Sequence, residues 1–166
     1  MLWVEKYTLD DLIAFANRNL VLHIGIEFIE LGSDFIKARM PVDHRTTMPL
    51  GLLHGGASCV LAETLGSCAS YLCIDTDKES SVGIEINANH VKSIDAGYIM
   101  GVTRPIHVGR SIHVWDIQIR NESNGDLICI SRLTTKILNK TSSQSPKKYL
   151  SYRKLPLAGL TKNQRK

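Results

Sequence analysis

The stretch Gly51-Leu52-Leu53-His54-Gly55-Gly56-Ala57-Ser58-Cys59-Val60-Leu61-Ala62-Glu63-Thr64-Leu65-Gly66-Ser67-Cys68-Ala69-Ser70-Tyr71-Leu72 decides the fold. It sits inside a longer run, residues 46–74, that holds one formally charged residue, Glu63, and one histidine, His54. From Gly56 to Leu72 the residues are good or neutral helix formers, and small side chains fall on every side of the turn. A helix that is small or apolar all round is a buried helix. It is not a membrane span, because a bilayer requires about 20 predominantly apolar residues, and this stretch carries Glu63, Thr64 and several serines.

Strand patterns lie on both sides of that helix. Upstream, Thr8 and Asp11 form a capping-box pattern, with Asp in the place of the usual Glu or Gln. Leu9, Leu12, Ile13 and Ala16 then recur at helical spacing, which predicts a short helix over residues 9–18. Residues 24–29 and 35–42, either side of Gly32-Ser33-Asp34, read as paired strands. Downstream, β-branched runs broken at Asp95-Ala96-Gly97, Val108-Gly109-Arg110 and Asn124-Gly125 predict strands over 82–92, 98–107, 110–121 and 126–138. Four consecutive strands predict an antiparallel meander. One long central helix with an antiparallel sheet makes an α+β domain.

The chain has 166 residues, enough for one core, with 43% apolar and 22% charged residues, a balance that excludes disorder and a membrane origin. Its net charge of +4 is unevenly placed. Residues 1–138 hold 12 Lys and Arg against 16 Asp and Glu, whereas residues 139–166 hold 8 Lys and Arg and no acid. The reading is therefore a domain over 1–138 and a basic C-terminal extension over 139–166. A basic run of this kind is a solvated appendage or a contact for CoA phosphates, a carrier protein or nucleic acid. The N-terminus lacks a basic stretch followed by an apolar run, so the cytoplasm is the expected location. The four cysteines, Cys59, Cys68, Cys73 and Cys129, form no CxxC pair and no metal-ligand spacing, which predicts reduced thiols and no metal.

Glu63 has Cys59, Val60, Gly66 and Ser67 three and four residues away, where a surface acid would have a cation. A carboxylate without a local partner on a buried helix is costly unless it lines a polar cavity or closes a subunit contact. His54-Gly55-Gly56 stands where the chain enters the helix, so the first backbone N–H groups are expected to point outward unsatisfied, at the positive end of the helix dipole. Such a terminus binds an anion or a developing oxyanion. Glu63 lies eight residues beyond Gly55, about 12 Å along one helix. A reacting carboxylate or water must lie about 3–3.5 Å from the carbonyl carbon. One helix cannot supply both groups. If they serve one carbonyl, the second comes from another copy of the helix at a two-fold axis.

Five motifs in this order resemble those of a known family. They are Met40-Pro41-Val42-Asp43, Gly51 to Ser58, Leu61-Ala62-Glu63-Thr64-Leu65-Gly66-Ser67, Glu85-Ile86-Asn87-Ala88-Asn89-His90-Val91 and Ser131-Arg132-Leu133-Thr134-Thr135. Residues 3–138 are similar to bacterial hotdog thioesterases that act on 1,4-dihydroxy-2-naphthoyl-CoA, and to aryl-carrier-protein proofreading thioesterases. The resemblance implies a hotdog fold, a homodimer that usually pairs into a dimer of dimers, and hydrolysis of an acyl-CoA or acylated carrier protein. No cofactor is implied, since CoA arrives as part of the substrate. It further implies that Glu63 is nucleophile or general base, that the Gly55 N–H polarises the thioester carbonyl, that His54 assists the leaving thiol and that Ser67 positions water. Met48, Gly56, Thr64, His90, Lys92, His107 and Arg110 are implied to lie along the substrate path. After Arg45-Thr46-Thr47, where members of that family carry Gln, this chain has Met48, whose thioether cannot donate a hydrogen bond.

Three other readings stay open on sequence alone. Hotdog dehydratases of 3-hydroxyacyl carrier proteins also pair a His with an acid on this helix, although their His lies farther upstream. A non-catalytic acyl-CoA-binding module is compatible with Met48. Nucleic-acid binding rests on the tail alone.

Overall fold

The computed structural model describes residues 2–140. Thr8 caps helix α1, Leu9–Ala16: its hydroxyl accepts the Asp11 N–H while the Asp11 carboxylate accepts the Thr8 N–H, the reciprocal pair that the sequence predicts. The helix stops two residues earlier than expected. Asn19 takes a left-handed backbone conformation at φ 49, which Asn tolerates better than most residues, and a separate short helix α2, Asn19–His23, follows. The strands are β1 (Glu27–Leu31), β2 (Ile36–Val42), β3 (Glu79–His90), β4 (Gly97–Val108), β5 (Ile112–Asn121) and β6 (Leu127–Asn139). Between β2 and β3 lies α3, Gly55–Leu72, 18 residues long.

All six strands form one antiparallel sheet in the order β1-β2-β4-β5-β6-β3. The expected meander of four consecutive strands is thus corrected: β4, β5 and β6 form it, but β3 pairs with β6 at the far edge. The turn signal at Asp95-Ala96-Gly97 is real, yet the segment before it does not reverse in place. Val91 and Lys92 still donate to the Ile128 carbonyl, and Ile94 is buried with its carbonyl accepting the Leu53 N–H. Burial of Ile94 therefore carries the chain across the mouth of α3, and β4 begins on the other side, beside β2.

The sheet wraps α3, and the core fills the space between. Leu61, Ala62, Leu65 and Ala69 of the helix meet Ile36, Ala38, Met40, Ile99, Trp115, Ile117 and Leu133 of the strands, all of them sealed from solvent. Two glycines permit that close approach. A side chain at Gly66 would begin 2.5 Å from Leu133 Cδ2, and one at Gly101 would begin 2.6 Å from Leu65 Cδ1. One long helix held in a curved antiparallel sheet is the hotdog fold. No helix among the described residues is long and apolar enough to cross a membrane. The extension over 139–166 lies outside the described residues from position 141 onward, while β6 itself runs to Asn139.

One polar cluster is set inside the core. The Ser70 hydroxyl accepts from Trp115 Nε1 at 2.7 Å, lies 2.8 Å from the Thr135 hydroxyl and 3.3 Å from His113 Nδ1. Burial holds the His113 imidazole below its ordinary value of 6.5, against the opposing pull of a hydrogen bond to the Gly109 backbone. The folded chain therefore refuses a proton that the unfolded chain accepts. The stability this gives is complete above about pH 6.5 and declines as pH falls through that value. Urea unfolding at about pH 7.5 and about pH 5.5 is expected to show a lower midpoint at the acid end, and His113→Gln is expected to remove part of the decline.

Candidate active site

The mouth of α3 is built by His54. Its backbone is extended at φ −72 and ψ 130, and its Nδ1 accepts the Gly56 N–H at 2.8 Å. The His54 carbonyl accepts the Ala57 and Ser58 N–H groups. The expectation that the first N–H groups of the helix all stand unsatisfied is corrected accordingly. Of the first four N–H groups of α3, that of Gly55 has no partner among the described residues, because His54 caps the next donor with its own ring. A neutral imidazole that accepts through Nδ1 carries its hydrogen on Nε2. The exposed His54 ring therefore offers one donor outward beside the Gly55 N–H.

A cleft of about 310 Å³ opens at this mouth and brings Met48, Gly55, His90 and Lys92 together. The His90 ring lies against Gly55, with Nε2 at 2.8 Å from where a glycine side chain would start. Met48 is held by backbone bonds with Gly51 and Leu52. Lys92 forms an ion pair with Asp126 at the rim. His107 and Arg110 are not part of this group. In the strand register His90 pairs with Cys129, whereas His107 pairs with Val114 and, through it, stands level with Thr134. Five strand residues, about 17 Å, separate the two levels within one protomer. The single passage expected for these four residues is therefore divided in the isolated chain, and a partner subunit would have to reunite it.

Glu63 opens into a different cavity, of about 590 Å³, whose wall also includes Thr64, Ser67 and Ser81. Phe15 and Tyr71 line it as a stacked pair, with ring centroids 3.8 Å apart and planes 14° from parallel. The Ser67 hydroxyl, one turn along α3, donates to Glu63 Oε1 at 3.1 Å. In the isolated chain Ser67 thus acts on the acid itself. Across from it the carboxylate rests on β3, where a side chain at Gly83 would begin 2.4 Å from Oε1. Sequence reasoning missed Gly83 and the Phe15–Tyr71 pair. A glycine interrupting a strand pattern is a sign of close backbone approach, so Gly83 had a signal. The ring pair joins residues from two distant helices and had none.

Thiol chemistry is not offered by the core cysteines. Burial pushes Cys68 and Cys73 up to about 12 and Cys129 up to about 11. A carboxylate, an imidazole N–H and a free backbone N–H remain, a set suited to attack on a carbonyl and stabilisation of the oxyanion that results.

Comparison with known proteins agrees with that chemistry. The family model described as Thioesterase superfamily matches residues 50–128. The chain is 51% identical over 138 residues to the 1,4-dihydroxy-2-naphthoyl-CoA hydrolase of Escherichia coli, covering 83% of this chain and 100% of that protein. It is 47% identical over 138 residues to the proofreading thioesterase EntH of Cronobacter turicensis, covering 83% and 99%. A crystal structure of a thioesterase from Haemophilus influenzae superposes with a TM-score of 0.79 at 46% identity, covering 84% of this chain and 96% of that one.

Proposed function

The chain belongs to the thioesterase superfamily and is a thioester hydrolase, and from that premise we propose that it cleaves an aryl-CoA, of the 1,4-dihydroxy-2-naphthoyl-CoA kind, to the free acid and CoA. The observation that carries this reading is the Glu63 carboxylate facing a cavity walled by the stacked Phe15 and Tyr71 rings. Flat aromatic walls favour a flat acyl group by offset stacking.

In the proposed reaction the thioester carbonyl oxygen lies at the Gly55 N–H, which takes up the charge that develops there. Either Glu63 removes a proton from a water that attacks the carbonyl carbon, or it attacks that carbon itself and a water then hydrolyses the resulting mixed anhydride, releasing the acid and restoring the carboxylate. The C–S bond then breaks, and His54 Nε2–H lies where it can assist the departing thiol. No cofactor enters these steps. An acylated carrier protein would present the same thioester to these groups. Free thiols throughout the described residues suit a reducing cytoplasm.

The reading requires two protomers, because Gly55 and Glu63 serve separate cavities of one chain. The sheet edge supports a homodimer. β1 is short, bulged and charged at Glu27 and Glu30, features that protect an edge. β3 is 12 residues long, and beside Glu63 it exposes Val82 and Ile84. A long edge with exposed apolar residues calls for a partner. A two-fold dimer would set Glu63 of one chain toward His54 and Gly55 of the other, and such dimers would pair again into a dimer of dimers.

A thiol-release assay with 1,4-dihydroxy-2-naphthoyl-CoA, benzoyl-CoA and medium-chain acyl-CoAs tests the reading. We expect the highest kcat/KM on the aryl substrates and a loss of roughly 10²–10⁴-fold in kcat for Glu63→Ala. Full activity without Glu63 would remove it from the reaction. Met48→Gln is expected to raise kcat on an aryl-CoA by about tenfold, the worth of one added hydrogen bond to the carbonyl. An unchanged or lower rate would show that Met48 occupies no such position.

A further inference from the structure

The carboxylate of Glu63 is held from two sides, and the holding leaves its oxygens unequal. Oε1 accepts from the Ser67 hydroxyl at 3.1 Å. It is also the oxygen nearest β3: the first side-chain atom at position 83 would lie 2.4 Å from Oε1, 3.2 Å from Cδ and 3.4 Å from Oε2. Side-chain carbons essentially never approach an oxygen as closely as the first of these. The glycine is not there for its backbone. Gly25, Gly51, Gly97 and Gly125 adopt positive φ and Gly83 does not, so a side chain at 83 would bring no backbone strain, and the three atoms nearest to it would all belong to the acid.

The strand cannot easily withdraw. Gly83 pairs with Thr135 of β6, whose hydroxyl is bonded to the buried Ser70. The register shifts directly afterwards, between Gly83 and Glu85, leaving Ile84 as an extra residue. A bulge of this kind bends a strand locally and re-aims what it presents.

We propose that Gly83 is a positioning residue for thioester cleavage: its missing side chain seats Glu63 so that Oε1 is occupied by Ser67 and Oε2 is the oxygen presented to the carbonyl or to its attacking water. The proposal rests on Glu63 being the reacting acid. Gly83→Ala pushes the carboxylate out of its seat, and a displacement of about 1 Å at a reacting group costs about 10²-fold in rate. The expected result is a loss of that size in kcat with KM near its original value and no fall in thermal midpoint. A merely structural role would not give the second half of the test. Glu63→Asp withdraws the carboxylate by one methylene and is expected to slow the enzyme alone, yet the double variant Gly83→Ala with Glu63→Asp is expected to turn over faster than Gly83→Ala.

Three outcomes overturn the proposal: an unchanged kcat in Gly83→Ala, a change confined to KM, or a double variant slowed by the product of the two single effects. Retained activity in Glu63→Ala would instead overturn the reading of the acid itself, and the Gly83 proposal with it.

Discussion

About 12 Å of helix rise separates the backbones of Gly55 and Glu63, more than a glutamate side chain spans. A thioester carbonyl polarised at one group is out of reach of the other in the same chain. The two groups also open into separate cavities, one at the helix mouth with Met48 and His90, the other beside Phe15 and Tyr71. In the reaction proposed above, that separation makes assembly a condition of the chemistry, and it gives a reason for the uncovered β3 edge to lie beside the acid.

The same helix explains why an acid can sit there. Ala, Gly and Ser around α3 let the sheet close on it, with Gly66 against Leu133 and Gly101 against Leu65. Such packing leaves little space for a charged side chain on most faces. Glu63 points to β3, an edge strand, at the residue without a side chain, and takes its hydrogen bond from the next turn of its own helix. The buried polar cluster of Ser70, Thr135, His113 and Trp115 stands behind that seat and fixes helix to sheet by hydrogen bonds that a purely apolar contact would not orient.

Much of this was legible in the sequence because the signals were local. The cap at Thr8, the small-residue helix with its lone acid, and the glycine at the turn before Asp126 all declare themselves within a few residues. The sheet order was not local. Strands β3 and β4 are neighbours along the chain but not in the sheet, since the burial of Ile94 beneath the helix mouth decides where β4 lands. For the candidate site, Glu63, His54 and Gly55 stand out by residue type and spacing. The capping of Gly56 by His54 depended on a rotamer, and the division of His90 and Lys92 from His107 and Arg110 depended on register. Neither is written in a sequence pattern.

Subunit mixing tests the account most directly. Glu63→Ala and His54→Ala chains, each inactive alone, would be unfolded together and refolded so that mixed dimers form. If each site draws its acid from one protomer and its helix mouth from the other, half of the dimers are mixed and each has one intact site, so activity should return to about a quarter of that of the unmodified protein. No recovery, with mixed dimers shown to be present, would place both groups in the same chain's site and contradict the shared one.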